Sequence, residues 1–65
     1  MDTKEIGKRL ANLRGSRSQS EVAQAIGISA SALGMYEQGR RIPRDEVKIR
    51  LADFYHTKVA KIFYP

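Results

Sequence analysis

Gln19-Ser20-Glu21-Val22-Ala23-Gln24-Ala25-Ile26-Gly27-Ile28-Ser29-Ala30-Ser31-Ala32-Leu33-Gly34-Met35-Tyr36-Glu37-Gln38 is the stretch that decides the architecture. Two short helices that cross steeply over a three- to four-residue turn need a small residue where they come closest. They also need a turn residue that accepts φ > 0. Ala23 and Gly27 supply these. Val22, Ile26, Ile28, Leu33 and Tyr36 form the apolar set that holds the second helix across the first, which leaves Ala30, Ser31, Gly34 and Met35 to face outward. Ser18 and Glu21 make an S-x-x-E capping box in front of the pair, Ser29 caps the second helix, and Gly39 ends it.

Outward from this stretch only helical spacing is visible, with no alternation long enough for a strand. Ile6, Leu10 and Leu13 lie at i, i+4 and i+7 between an Asp2/Glu5 capping box and Gly15, and they predict a first helix. Beyond the basic loop Arg40-Arg41-Ile42-Pro43-Arg44, Asp45 and Glu46 place negative charge at the positive end of a fourth helix. Val47, Leu51, Ala52 and Tyr55 supply its inward face and predict it as the longest of the set. Val59, Ile62 and Phe63 fit one last helical turn, for which Lys58 is a poor cap. The expectation is a compact all-α, five-helix domain, residues 1–65 forming a single unit, with no linker, repeat or low-complexity segment.

Composition narrows the function. The chain has 65 residues, with 12 Lys and Arg against 7 Asp and Glu, one His and no Cys. At this length a fold buries only roughly 60% of its unfolded surface, which excludes a multidomain enzyme. No disulfide or thiolate zinc site is open to it, and His56 alone provides no metal cluster. The longest uncharged stretch, Val22 to Tyr36, is 15 residues and is interrupted by Ser, Gln and Gly. A membrane span needs roughly 20 apolar residues, so none is expected. Met1 to Glu5 leads into no secretory apolar run, and the chain reads as cytoplasmic. The serines have no base partner nearby, no Gly-rich phosphate loop occurs, and Asp45 and Glu46 are accounted for as first-turn charges. No catalytic residue, cofactor or small-molecule ligand is therefore expected. The net charge of +5 instead favours a polyanionic partner, because each Lys or Arg set against a phosphate releases counterions.

The steep crossing is a helix-turn-helix, and the chain resembles the Xre-type helix-turn-helix domains related to phage repressors and Cro. The resemblance runs from about Ile6 to Phe63, through Ile6-Gly7-Lys8-Arg9-Leu10, Leu13-Arg14, Ser18-Gln19-Ser20-Glu21-Val22-Ala23, Gly27-Ile28-Ser29, Tyr36-Glu37-Gln38-Gly39-Arg40-Arg41-Ile42-Pro43 and Leu51-Ala52. It implies a repressor-like fold, a dimer on a two-fold operator, and a third helix in the major groove of double-stranded DNA. Gln19 matches the family's phosphate-contacting Gln, and Arg14 and Glu37 match a pair often buried between helices one and three. Three departures stand out: a turn at Gly15-Ser16-Arg17 about two residues shorter than usual, His56 where many members have Gly, and a basic last helix with Lys58 and Lys61.

Direct readout calls for Arg or Lys against guanine and Asn or Gln against adenine. Between Val22 and Tyr36 the one side chain of this kind is Gln24, on helix two. The base-edge candidates are accordingly Ser29, Ala30, Ser31, Gly34 and Met35, which offer hydroxyls and contacts to the thymine methyl, and more of the specificity falls to DNA shape. Gly34, costly inside a helix, fits a close approach of the DNA. Arg17, Gln19, Gln38, Arg40, Arg41 and Arg44 are the phosphate candidates. So sparse a reading face needs two linked half-sites, and Val59, Ile62 and Tyr64 are the candidates for a homodimer surface, with Phe63 closing the core. The alternative is a helix-turn-helix used as a protein-interaction module, such as an antitoxin or anti-repressor. Ala30, Ala32, Gly34 and Met35 suit it and the basic flanks oppose it.

Overall fold

Each of the first three helices begins where a short polar side chain takes over backbone N–H groups that have no partner within the helix. The computed structural model describes residues 2–65. In α1 (Thr3–Arg14), Asp2 Oδ1 accepts from the backbone N–H groups of Lys4 and Glu5 at 3.0 and 3.2 Å. Ser18 Oγ accepts from Glu21 N at the start of α2 (Gln19–Ile26), and Ser29 Oγ accepts from Ala32 N at the start of α3 (Ala30–Glu37), both at 3.0 Å. Neither α4 (Asp45–Phe54) nor α5 (Val59–Phe63) has a side-chain cap, but α4 carries Asp45 and Glu46 in its first turn. Every regular element among the described residues is a helix. The longest is α1, with 12 residues against 10 in α4, which corrects the expectation for the fourth helix. Tyr55 does face inward, but it lies in the turn beyond α4, where the chain swings away through His56.

Left-handed backbone follows α2 and α4. Gly27 takes φ 78° at no steric cost, so the chain can reverse into α3 within three residues. His56 takes φ 56° after α4, where its Cβ makes the same conformation cost roughly 1 kcal/mol.

The core is drawn from all five helices. Ile6 and Leu10 of α1, Val22, Ala23 and Ile26 of α2, Leu33 and Tyr36 of α3, and Val47, Leu51 and Ala52 of α4 are buried together with Tyr55, Ile62 and Phe63. The helices α1 and α3 meet at Gly7, where a methyl group would collide with the Glu37 carbonyl. Ile62 is 1% exposed and so is withdrawn from the dimer surface expected for it. A five-residue helix has few inward positions, and α5 uses Ile62 and Phe63 to close the floor of the core between α1 and α4. Arg9 Nη1 fastens this lid by donating to Ile62 O at 2.9 Å. The Cα radius of gyration is 10.2 Å, against about 10.7 Å for a close-packed globule of this length. No helix among the described residues is long and apolar enough to cross a membrane.

Candidate nucleic-acid interface

The short helix α3 is held from behind by Leu33 and Tyr36, so Ser31 and Met35 stand out along its opposite side, with Ser29 exposed at its cap. The other two residues expected to face outward do not. Ala30 is half-buried against the core, and Gly34 is buried, its Cα covered by the amide of Gln19. The exposed ridge is thus narrower than the sequence suggests: one thioether and two hydroxyls, with Ala30 on its margin.

A shallow depression on one flank of this ridge gathers Gln19, Ala30, Ser31, Gly34, Met35, Gln38 and Arg40. Gln19 is positioned there by Glu37, the last residue of α3, whose side chain is only 6% exposed. Arg14 Nε donates to Glu37 Oε2 at 2.8 Å and Arg14 Nη2 to Glu37 Oε1 at 3.0 Å, a bidentate pair joining α1 to α3. Gln19 Nε2 donates to the same Oε1 at 2.9 Å, joining α2 to both. The hydrogen bond to Glu37 raises the pKa of the Arg14 guanidinium against the opposing effect of burial, so Arg14 stays charged at any working pH. Its remaining Nη1 donates to Arg17 O at 2.8 Å and pins the short Gly15-Ser16 turn.

That turn takes Arg17 out of the cationic group expected for it. Its Nη2 donates to Leu13 O at 3.0 Å and its Nε to Arg14 O at 3.2 Å, capping the end of α1. The guanidinium also lies over the rings of Phe54 and Tyr55, 5.1 and 5.6 Å from their centroids. The side chain thus folds back onto α1 and α4 rather than outward.

The side chains of Arg40, Arg41 and Arg44 are exposed and have no hydrogen-bond or ion-pair partner among the described residues. Gln38 is likewise exposed. On the other flank of α3 a second groove runs beside Ile28, Ala32 and Tyr36, and Arg41, Arg44 and Arg50 line it. Two cations near α3 escape a reading of the sequence. Lys4 belongs to the start of α1, yet its backbone packs against the turn after α3, with its Cα 3.0 Å from where a Gly39 Cβ would be. Arg50 reaches the end of α2 from the middle of α4, with Nη1 3.5 Å from Ile26 O. Neither has a sequence signal, since both owe their place to packing between distant helices.

A separate apolar surface lies between α4 and α5, where Asp45, Lys48, Ile49, Val59 and Tyr64 enclose a groove. Val59 is half-buried there, while Tyr64 and Ile49 are 52% and 54% exposed. Tyr64 lies over Lys48, which is only 6% exposed and donates from Nζ to Tyr64 Oη at 2.6 Å. This hydrogen bond, with Asp45 adding to it, raises the Lys48 pKa despite desolvation. No group of His, Cys, Asp and Glu among the described residues is placed to hold a metal.

A family model described as a helix-turn-helix domain matches residues 5–62, which takes in all the helices but the tips of the first and last. No curated protein and no solved structure matches the chain.

Proposed function

Because the chain belongs to the helix-turn-helix domain family, we propose that it is a sequence-selective, double-stranded DNA-binding transcriptional regulator of the Xre type, related to phage repressors and Cro. It acts as a repressor in the cytoplasm by occupying a palindromic operator, with no catalytic step and no cofactor. The observation that carries the reading is the exposed α3 ridge of Ser29, Ser31 and Met35 flanked by the unpartnered cations Arg40, Arg41 and Arg44. With α3 in the major groove, Met35 and Ala30 meet thymine methyl groups, and the two serines reach polar base edges. Gln19, Gln38 and the three arginines contact phosphates, joined by Lys4, whose backbone packs against Gly39. The Glu37 junction keeps Gln19 and α3 in one rigid relation, so backbone contacts made from α2 set the depth at which α3 sits.

One such helix reads only a few base pairs, so the regulator works as a homodimer whose recognition helices stand about 34 Å apart. Its partner surface is the groove of Ile49, Val59 and Tyr64. Ile49→Glu should leave folding unchanged, because Ile49 is 54% exposed, while weakening both self-association in sedimentation and operator binding.

Selection from a library of random duplexes tests the main claim. The expected result is an enriched pseudo-palindrome bound about 1,000-fold or more above scrambled duplex at about 150 mM salt. Arg40→Ala, Arg41→Ala and Arg44→Ala should each lower the salt slope by up to about 0.9 for every phosphate left without its arginine, whereas Met35→Ala should alter base preference and leave the slope alone. A protein that enriches nothing and binds every duplex alike is not a sequence-selective regulator.

A further inference from the structure

Arg50 is the cation near α3 that this reading leaves unused. It belongs to α4, yet its guanidinium lies at the junction of α2 and α3, 3.8 Å from the position of a Gly27 Cβ. A guanidinium has five N–H donors, and the one hydrogen bond it makes among the described residues, to Ile26 O at 3.5 Å, is at the outer limit of such a bond. Glu46 precedes it by four residues, a spacing that favours an ion pair on a helix. Even so, no carboxylate of the described residues comes within 4.0 Å of Arg41, Arg44 or Arg50. Three guanidiniums therefore line one groove with Glu46 as the carboxylate among them, and none of the three is paired with it, so the groove keeps an excess of positive charge.

The position of that groove gives the charge a use. A helix lying in the major groove has a sugar–phosphate strand on either side. The α3 ridge likewise has a groove on either side, one lined by Gln19, Gln38 and Arg40 and the other by Arg41, Arg44 and Arg50. We infer that Arg50 is a positioning residue for DNA, contacting a phosphate of the strand that passes the Ile28, Ala32 and Tyr36 side of α3. Arg41 and Arg44 hold that strand from the loop after α3, and Arg50 holds it from α4, near the start of α3. This rests on the DNA-binding reading above, to which it adds a residue and assigns a strand.

The test compares salt slopes for the full chain by fluorescence anisotropy from about 50 to 200 mM KCl. The probes are a duplex enriched by the wild type and a mixed-sequence duplex of about 24 base pairs. Arg50→Gln removes the charge and loses only a hydrogen bond that at 3.5 Å is at its outer limit, so it should unfold near the wild-type temperature. Its slope should fall by about 0.9 per subunit, so that raising the salt fourfold weakens its binding less than the wild type's by about 3.5-fold per bound subunit, or about 12-fold for a dimer. Arg50→Lys should restore most of the slope. Lys61→Ala removes the same charge from the α1–α5 side, beside Arg9 and Thr57, and should leave the slope unchanged. An Arg50→Gln slope equal to the wild type, or an equal fall for Lys61→Ala, overturns the assignment while the DNA-binding reading stands. A wild type that binds neither duplex overturns both.

Discussion

Replacing Gly34 with Ala separates the stability of the domain from its proposed work on DNA. Gly34 lies mid-way along α3, where glycine is worse than alanine by about 1 kcal/mol. The new Cβ would stand 3.5 Å from Gln19 Oε1 and 3.8 Å from Nε2, ordinary van der Waals distances that leave the Gln19–Glu37 hydrogen bond in place. Nothing offsets the gain, so the variant should be more stable by about 1 kcal/mol, which for a domain of this size raises Tm by about 4–8 °C. Gly7→Ala makes the contrast. It has the same helix-propensity gain, but its methyl meets the Glu37 carbonyl, a backbone group that no rotamer change can move aside. The helices α1 and α3 must then separate, at the upper end of the roughly 1–3 kcal/mol typical of overpacking, and the net effect is destabilising. Urea and thermal unfolding followed by far-UV circular dichroism measure both. If glycine is kept at 34 because DNA comes close, Gly34→Ala should also bind duplex more weakly while being more stable. A variant that unfolds before the wild type refutes the stability argument, and a stabilised variant with unchanged affinity refutes the close approach.

Glu37→Ala leaves Arg14 and Gln19 without their shared acceptor, and a loss of about 2–3 kcal/mol in urea unfolding is expected, below the roughly 3–5 of fully buried pairs because the Arg14 side chain keeps 22% exposure. His56→Gly removes the left-handed strain at φ 56° and should add about 1 kcal/mol in the same assay, with the exposed imidazole contributing no packing to lose. Stability should fall as pH rises above about 10. Burial raises the Tyr55 pKa and the hydrogen bond to Tyr64 raises that of Lys48, so both groups hold their protons more tightly when folded, and the advantage is lost as pH climbs through and past their unfolded values. Tyr55→Phe should reduce that alkaline loss, and near neutral pH it should be at least as stable as the wild type by thermal unfolding, because the Tyr55 hydroxyl is buried without a partner among the described residues.

The sequence by itself determined the helices, their order and most of the core, because these depend on local chemistry. Asp2, Ser18 and Ser29 cap from within a few residues, Gly27 accepts its φ wherever it is placed, and apolar residues at helical spacing must find a common interior. The central crossing was legible for the same reason. What the tertiary structure decided was the fate of individual side chains that answer to distant neighbours. Arg17 and Arg44 are both arginines beside a turn, yet Arg17 is drawn onto Phe54 and Tyr55 while Arg44 remains unpartnered. Gly7 is an ordinary glycine until α3 is laid across it, and Lys48 is an ordinary helix lysine until Tyr64 folds over it. Lys4 and Arg50 join the surface around α3 from residues 35 and 23 positions away from Gly39 and Gly27, a nearness that no local pattern encodes. Caps and periodicity act over one or two turns of chain, whereas charge pairing and close approach act through space, and only the packed fold sets those distances.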